Sequence, residues 1–231
     1  MSVRDNIART EERIQRACER SGRRRDEIRL MAVSKFQSLD AIAEAYQAGI
    51  RLFGESRVQE AKAKFGNPLP EMADLELHCI GQLQRNKAKV AVQLFSCIQS
   101  VDRNELIMEL AHQCQREQKH IDILLELHTG ESSKTGYPDV DALSEGAELV
   151  LAYPQLRLRG LMTMAPYTDD TLMIRRSFKS LVAAQKTLHQ RFPELTLEVL
   201  SMGMSNDFEI AIEEGSTLLR IGTALFKGDE P

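Results

Sequence analysis

Short apolar runs alternate with amphipathic stretches along the chain, and each kind of segment implies its own element. The first stretch is helical, because Val3, Ile7, Ile14 and Cys18 fall on one face at spacings of 4, 7 and 4. A strand follows over 28–33. Ser38 can then cap a helix in which Leu39, Ile42, Ala43 and Tyr46 repeat at i, i+3, i+4 and i+7, with Gly49 as its stop. The same unit recurs. Further strands are predicted over 50–53, 75–80, 95–101, 121–127, 156–162, 195–200 and 217–221. Between them, helices run through Val58, Ala61 and Phe65 (stopped by Gly66 and Asn67-Pro68), over 83–92, through Ile107, Leu110, Ala111 and Cys114, and through Val140, Leu143, Ala147 and Val150. The longest carries Ile174, Phe178, Leu181, Val182 and Leu188, and the last carries Phe208, Ala211 and Ile212 before Gly215. Asp102 and Glu105 read as a capping box for the Ile107 helix, and Ser205 as the cap of the Phe208 helix.

Eight strands alternating with helices through short connections predict an α/β fold: a parallel sheet closed as a single (β/α)8 barrel of the TIM type, with an extra N-terminal helix. An open doubly wound sheet is the alternative, but no obvious edge strand is present. The 231 residues suit one barrel domain over 1–231, typical barrels having roughly 250.

Composition narrows the class. Lys and Arg number 30 against 34 Asp and Glu, a net charge of −4, while 42% of residues are hydrophobic and 28% charged. These values fit a soluble chain with a core and disfavour collagen-like, coiled-coil or disordered states. No apolar run exceeds the five residues 149–153, against the roughly 20 that a membrane helix needs. Residues 1–6 carry charge where a signal peptide is apolar, so a cytoplasmic location is expected. Cys18, Cys79, Cys97 and Cys114 lack zinc-like spacing and read as reduced core thiols. The acidic balance and the absence of Trp argue against nucleic acid as a partner.

In such a barrel the chemistry belongs just after each strand. Lys35 ends the apolar run 30–34, where partial desolvation would favour a free amine able to form a Schiff base; a rim lysine in water is the other reading. The turns Ser201-Met202-Gly203-Met204-Ser205 and Ile221-Gly222-Thr223, after strands seven and eight, offer hydroxyls and backbone N–H groups where barrels commonly bind phosphate. Arg220 sits inside the eighth strand and needs a partner, a carboxylate or a ligand acceptor. An amine, an anion cradle and an arginine together suit a phosphorylated aldehyde.

These residues belong to a longer series: Ala32-Val33-Ser34-Lys35, Phe53-Gly54-Glu55-Ser56-Arg57, His78-Cys79-Ile80-Gly81-Gln82-Leu83-Gln84-Arg85-Asn86-Lys87, Lys134-Thr135-Gly136, Arg159-Gly160-Leu161-Met162-Thr163-Met164, Leu200 to Asp207, and Gly215 to Thr223. The series resembles the YggS/PROSC family of pyridoxal 5′-phosphate homeostasis proteins over nearly the whole chain. The resemblance implies a barrel like the alanine racemase N-terminal domain that holds pyridoxal 5′-phosphate as a Schiff base on Lys35. By it, Ser201, Gly222 and Thr223, with the Gly203 turn, match the phosphate cradle, and Arg220 matches the residue facing the pyridine nitrogen. It implies a monomeric buffer or carrier of the cofactor without turnover, with apo pyridoxal-phosphate enzymes as recipients; a racemase-like enzyme is the alternative. Two positions depart from the family: Ser56 replaces a usual asparagine, and His128 stands where many members have one. Lys227-Gly228 after the final helix is a tail difference.

An arginine has no acceptor and leaves a ring nitrogen unprotonated, which weakens the cofactor as an electron sink and favours the carrier reading. Tyr137 and Tyr167 are the tyrosines in mouth-side loops, and Tyr167 and His128 are the candidate proton donors for an enzyme. His78 reads as a core histidine; His112, His120 and His189 as surface groups; Arg23-Arg24-Arg25 as a solvated turn; Arg85, Lys87 and Lys89 as a solvated helix face, unless Asn86-Lys87 lies beside the site; Met162 and Met164 as barrel filling.

Overall fold

The structure is a computed structural model that describes residues 2–67, 69–130 and 135–228. Pro68 and Lys134, both named above, lie outside the described residues. Eight strands, β1 (Arg29–Val33), β2 (Leu52–Glu55), β3 (Glu76–Cys79), β4 (Cys97–Val101), β5 (Ile121–Glu126), β6 (Leu156–Met162), β7 (Val199–Ser201) and β8 (Leu218–Ile221), pair in sequence order, and β8 returns to β1. Every pairing is parallel. The expected closed barrel is therefore present.

Helices α1 (Val3–Ser21), α2 (Leu39–Gln47), α3 (Val58–Phe65), α4 (Ala88–Leu94), α5 (Asn104–Glu117), α6 (Val140–Leu151), α7 (Thr171–Arg191), α8 (Phe208–Glu213) and α9 (Thr223–Phe226) surround it. Their apolar stripes explain this placement. Ile107, Leu110, Ala111 and Cys114 of α5 are all buried, as are Ile174, Phe178, Leu181 and Leu188 of α7. The main core lies between sheet and helices. α1, which precedes the first strand, packs on α2, α8 and α9, and Asn6 Nδ2 donates to the Leu225 carbonyl at 3.1 Å.

The barrel interior is different. It holds two small apolar clusters, Met31–Leu52–Leu218 and Cys97–Leu124–Met162, and beside them the buried polar side chains of His78, Gln99, Ser201 and Arg220. Gly160 marks the tightest backbone approach: a Cβ there would fall 1.9 Å from the Val199 carbonyl oxygen of β7, so a side chain would prise β6 from β7.

Four local expectations need correction. Arg103, not Asp102, occupies the N-cap of α5, because the Asp102 carboxylate instead pairs with the Arg103 guanidinium. Asp207, not Ser205, precedes α8; the Ser205 hydroxyl accepts from Ala224 N at 3.3 Å across two loops. The seventh strand is short, since Leu195 and Leu197 bury themselves in the helix-side core outside the ladder. The Arg23–Arg25 turn is also less solvated than expected: Arg23 Nη1 caps the end of α8, donating to the carbonyls of Ile212 (2.9 Å) and Ser216 (2.7 Å), and Arg25 pairs with Glu11. Ser38 caps α2 as expected, accepting from Ala41 N at 3.2 Å.

Candidate functional site

Alternate residues of a strand face the same side, and the inward rows continue past the strand ends into the mouth. Met31 and Val33 lead to Lys35, Leu124 to Glu126, Met162 to Met164, and Leu218 through Arg220 to Gly222. The upper members of these rows line a cavity of about 1460 Å3 at the C-terminal face of the barrel. Lys35, Arg220, Gly222 and Thr223 all reach it, with Ser56, Gln82, Ser205 and Lys227.

Lys35 is exposed, so the desolvation expected for it is absent. It stands in a turn one residue beyond buried Ser34, clear of the packed rows below. Arg220 is the opposite case. It is 4% exposed, and burial pulls its guanidinium down to about 10, still cationic near neutrality. Its Nη2 donates to the Thr163 carbonyl at 2.8 Å and its Nη1 to Ser201 Oγ at 2.6 Å.

Ser201 is thereby committed. It is fully buried behind the cavity wall, and its hydroxyl donates to Gln99 Oε1 at 2.6 Å. Gln99 Nε2 meets His78 Nδ1 at 2.8 Å, and His78 Nε2 meets Glu76 Oε1 at 2.9 Å. With Gln99 oxygen accepting from Ser201, its nitrogen must donate, so His78 accepts at Nδ1 and donates from Nε2. Every proton then runs one way, from Arg220 through Ser201, Gln99 and His78 to Glu76. The His78 bond, aided by Arg29, holds the Glu76 carboxyl down at about 2. His78 is thus the buried core histidine expected, with a defined tautomer.

Gly203 also stands behind the wall. Its carbonyl accepts from Arg220 N at 2.9 Å, and at φ 99° it has no room for a side chain, a Cβ coming within 2.6 Å of that of Ala211. The helices that follow these turns, α8 and α9, have six and four residues. Their dipoles are correspondingly small, so an anion would rely on backbone N–H groups and hydroxyls. Ser205, read from sequence as a helix cap, lines the cavity.

The proton-donor candidates separate clearly. Tyr167 lines the rim but is 85% exposed, and His128 is not among the lining residues. Tyr137 is buried, its hydroxyl donating to Asn104 Oδ1 at 2.8 Å, and burial drives its phenol far above the ordinary range. Asn86 and Lys87 are not among the residues lining the cavity. Glu126, Gln99 and Lys64 are not singled out as site residues by the sequence, whereas Glu55 lies in the strand-end series; extending the inward parity of β5 through its end finds Glu126. Among the described residues no group of three or more His, Cys, Asp or Glu is placed to hold a metal, and no helix is long and apolar enough to cross a membrane. The four cysteines are buried and free.

Residues 6–230 match the family described as alanine racemase, N-terminal domain, so fold and site define a barrel of that class. The chain is 38% identical over 226 residues to the pyridoxal phosphate homeostasis protein of Aquifex aeolicus, covering 98% of each. It is 39% identical to that of Vibrio cholerae, covering 97% of this chain and 95% of the relative. The structure of PipY of Synechococcus elongatus with pyridoxal phosphate bound aligns at a TM-score of 0.84 with 34% identity, over 97% of this chain and 100% of that one. The chain belongs to the pyridoxal phosphate homeostasis protein family.

Proposed function

We propose that this protein holds pyridoxal 5′-phosphate as a Schiff base on Lys35 and serves cofactor homeostasis as a buffer or carrier, without catalytic turnover. The observation that carries the reading is the composition of one cavity wall: a primary amine at Lys35, a donor-only cation at Arg220, and hydroxyls with backbone N–H groups at Ser205, Gly222 and Thr223. That donor set fits a phosphorylated aromatic aldehyde. When bound, the cofactor supplies an aldehyde for an amine and a ring that can draw electrons.

In this reading Gly222, Thr223 and Ser205 hold the phosphate. Ser201 and the Gly203 turn act one layer back, fixing Arg220, which faces the ring nitrogen and denies it a proton. The relative with bound cofactor supports the assignment. The carrier role is supported by the names of the relatives and by the placement of Tyr167 and His128, neither of which is buried against the cavity as a proton donor would be. The reading extends to one barrel domain over 1–231, acting as a cytoplasmic monomer that yields its cofactor to apo pyridoxal-phosphate enzymes.

The test is an absorbance spectrum after adding pyridoxal phosphate. The parent chain should gain a visible band that hydroxylamine discharges, and Lys35→Ala should lack it. An equal band in Lys35→Ala, fixed to protein by borohydride, contradicts the assignment.

A further inference from the structure

We propose that Glu60 and Lys64, one helical turn apart on α3, are positioning residues that clamp the turn carrying Lys35. The inference deepens the reading above and rests on it for its consequence, but its first test needs no cofactor.

Ser34 to Gln37 form a tight turn closed by Gln37 N donating to the Ser34 carbonyl at 3.0 Å, with Lys35 and Phe36 at its centre. Phe36 has φ 65°, a left-handed conformation that glycine adopts freely and a bulky aromatic does not. Its ring is 71% exposed, so burial does not hold it there. Hydrogen bonds do. Phe36 N donates to Glu60 Oε1 at 2.6 Å, and Lys64 Nζ donates to the Ser34 carbonyl at 2.8 Å. Lys64 also reaches Glu60 Oε1 at 2.8 Å and Glu55 Oε1 at 2.9 Å, while the Ser34 hydroxyl donates to Glu55 at 2.7 Å. The backbone on both sides of Lys35 is therefore pinned to α3 and β2.

The cluster is an unusual use of charge. Glu55 is fully buried, its second oxygen has no partner among the described residues, and burial pushes its carboxyl above the ordinary range. Buried ion pairs add little stability compared with packed apolar groups, so a geometric role accounts better for this one. Persistent backbone strain at a site needs surroundings that over-determine it, and the clamp provides them. There is a second consequence. Lys64 places a second amine beneath the same turn, but its three hydrogens are all taken by oxygens and it does not line the cavity, whereas Lys35 does.

The experiment uses the full chain with Glu60→Leu, Glu60→Gln, Lys64→Met, and Glu60→Leu combined with Phe36→Gly. Without cofactor, amide exchange at residue 36 should quicken at least about tenfold in Glu60→Leu and Lys64→Met and stay within about threefold in Glu60→Gln, whose amide oxygen still accepts. On mixing with pyridoxal phosphate, the visible band should form about tenfold more slowly in Glu60→Leu and Lys64→Met, and adding Phe36→Gly to Glu60→Leu should restore it to within about threefold, because glycine needs no clamp. Lys64→Met supplies the result if Glu60→Leu does not fold. Unchanged exchange in the folded variants, or no recovery with Phe36→Gly, overturns the clamp. Altered exchange with no band even in the parent chain leaves the clamp standing and overturns the Schiff-base reading.

Discussion

Arg220 and Lys35 occupy the same cavity under opposite conditions, one buried and one exposed, and the residues around them explain the difference. A guanidinium inside a barrel must spend its donors, and the one-way chain through Ser201, Gln99 and His78 spends them on partners that end at a carboxylate. Replacing Gln99 by Leu removes an acceptor for Ser201 and a donor for His78 at once. Gln99→Leu should therefore lose about 1–3 kcal/mol of stability by urea denaturation. With cofactor added, the same variant should show an altered pH dependence of the visible band, because Ser201 no longer fixes the guanidinium. Of these residues Lys35, Ser201 and Arg220 were legible in sequence, since they fall at strand ends. Gln99 was not, because a glutamine inside a strand has no signal until its neighbours across the barrel are known.

At the scale of elements, periodicity located every strand to within a few residues, because parallel strands buried on both faces read as dense apolar runs. It erred where apolar residues serve the helix layer instead of the ladder, as with Leu195 and Leu197 before β7. Capping was legible where the side chain had no competing partner. Ser38 caps α2, whereas Asp102 was drawn to Arg103 and Ser205 to Ala224. The clamp beneath Lys35 could not be read at all, since Glu55, Glu60 and Lys64 meet Ser34 and Phe36 only after β2, with α3 packed against it, pairs with β1. Asp139, which accepts from Asp141 N and Ala142 N at the start of α6, gives a direct check on this logic. Asp139→Ala should lower stability by about 1 kcal/mol in thermal or urea melts while leaving cofactor binding unchanged.

For the whole molecule, two carboxylates impose opposite pH dependences. Glu76 titrates in the folded state at about 2, below its ordinary value of 4.5, so its contribution is complete above that ordinary value and is lost as the pH falls through about 2. Glu55 is shifted upward, so its contribution is complete below the ordinary value and is lost as the pH rises through the shifted one. Urea melts at about pH 3 and about pH 7 should accordingly show a smaller acid loss in Glu76→Gln than in the parent chain. The difference should stay within about 1 kcal/mol, because Glu76 and Arg29 are partly exposed and water screens them. A single bond between Lys35 and the aldehyde, across the barrel mouth, is central to the proposed function. Borohydride reduction of the chain loaded with pyridoxal phosphate, followed by peptide mass mapping, tests it most directly. The prediction is a pyridoxyl group on the peptide containing Lys35 and none on the peptide containing Lys64. A label confined to other lysines, or no label at all, would contradict it.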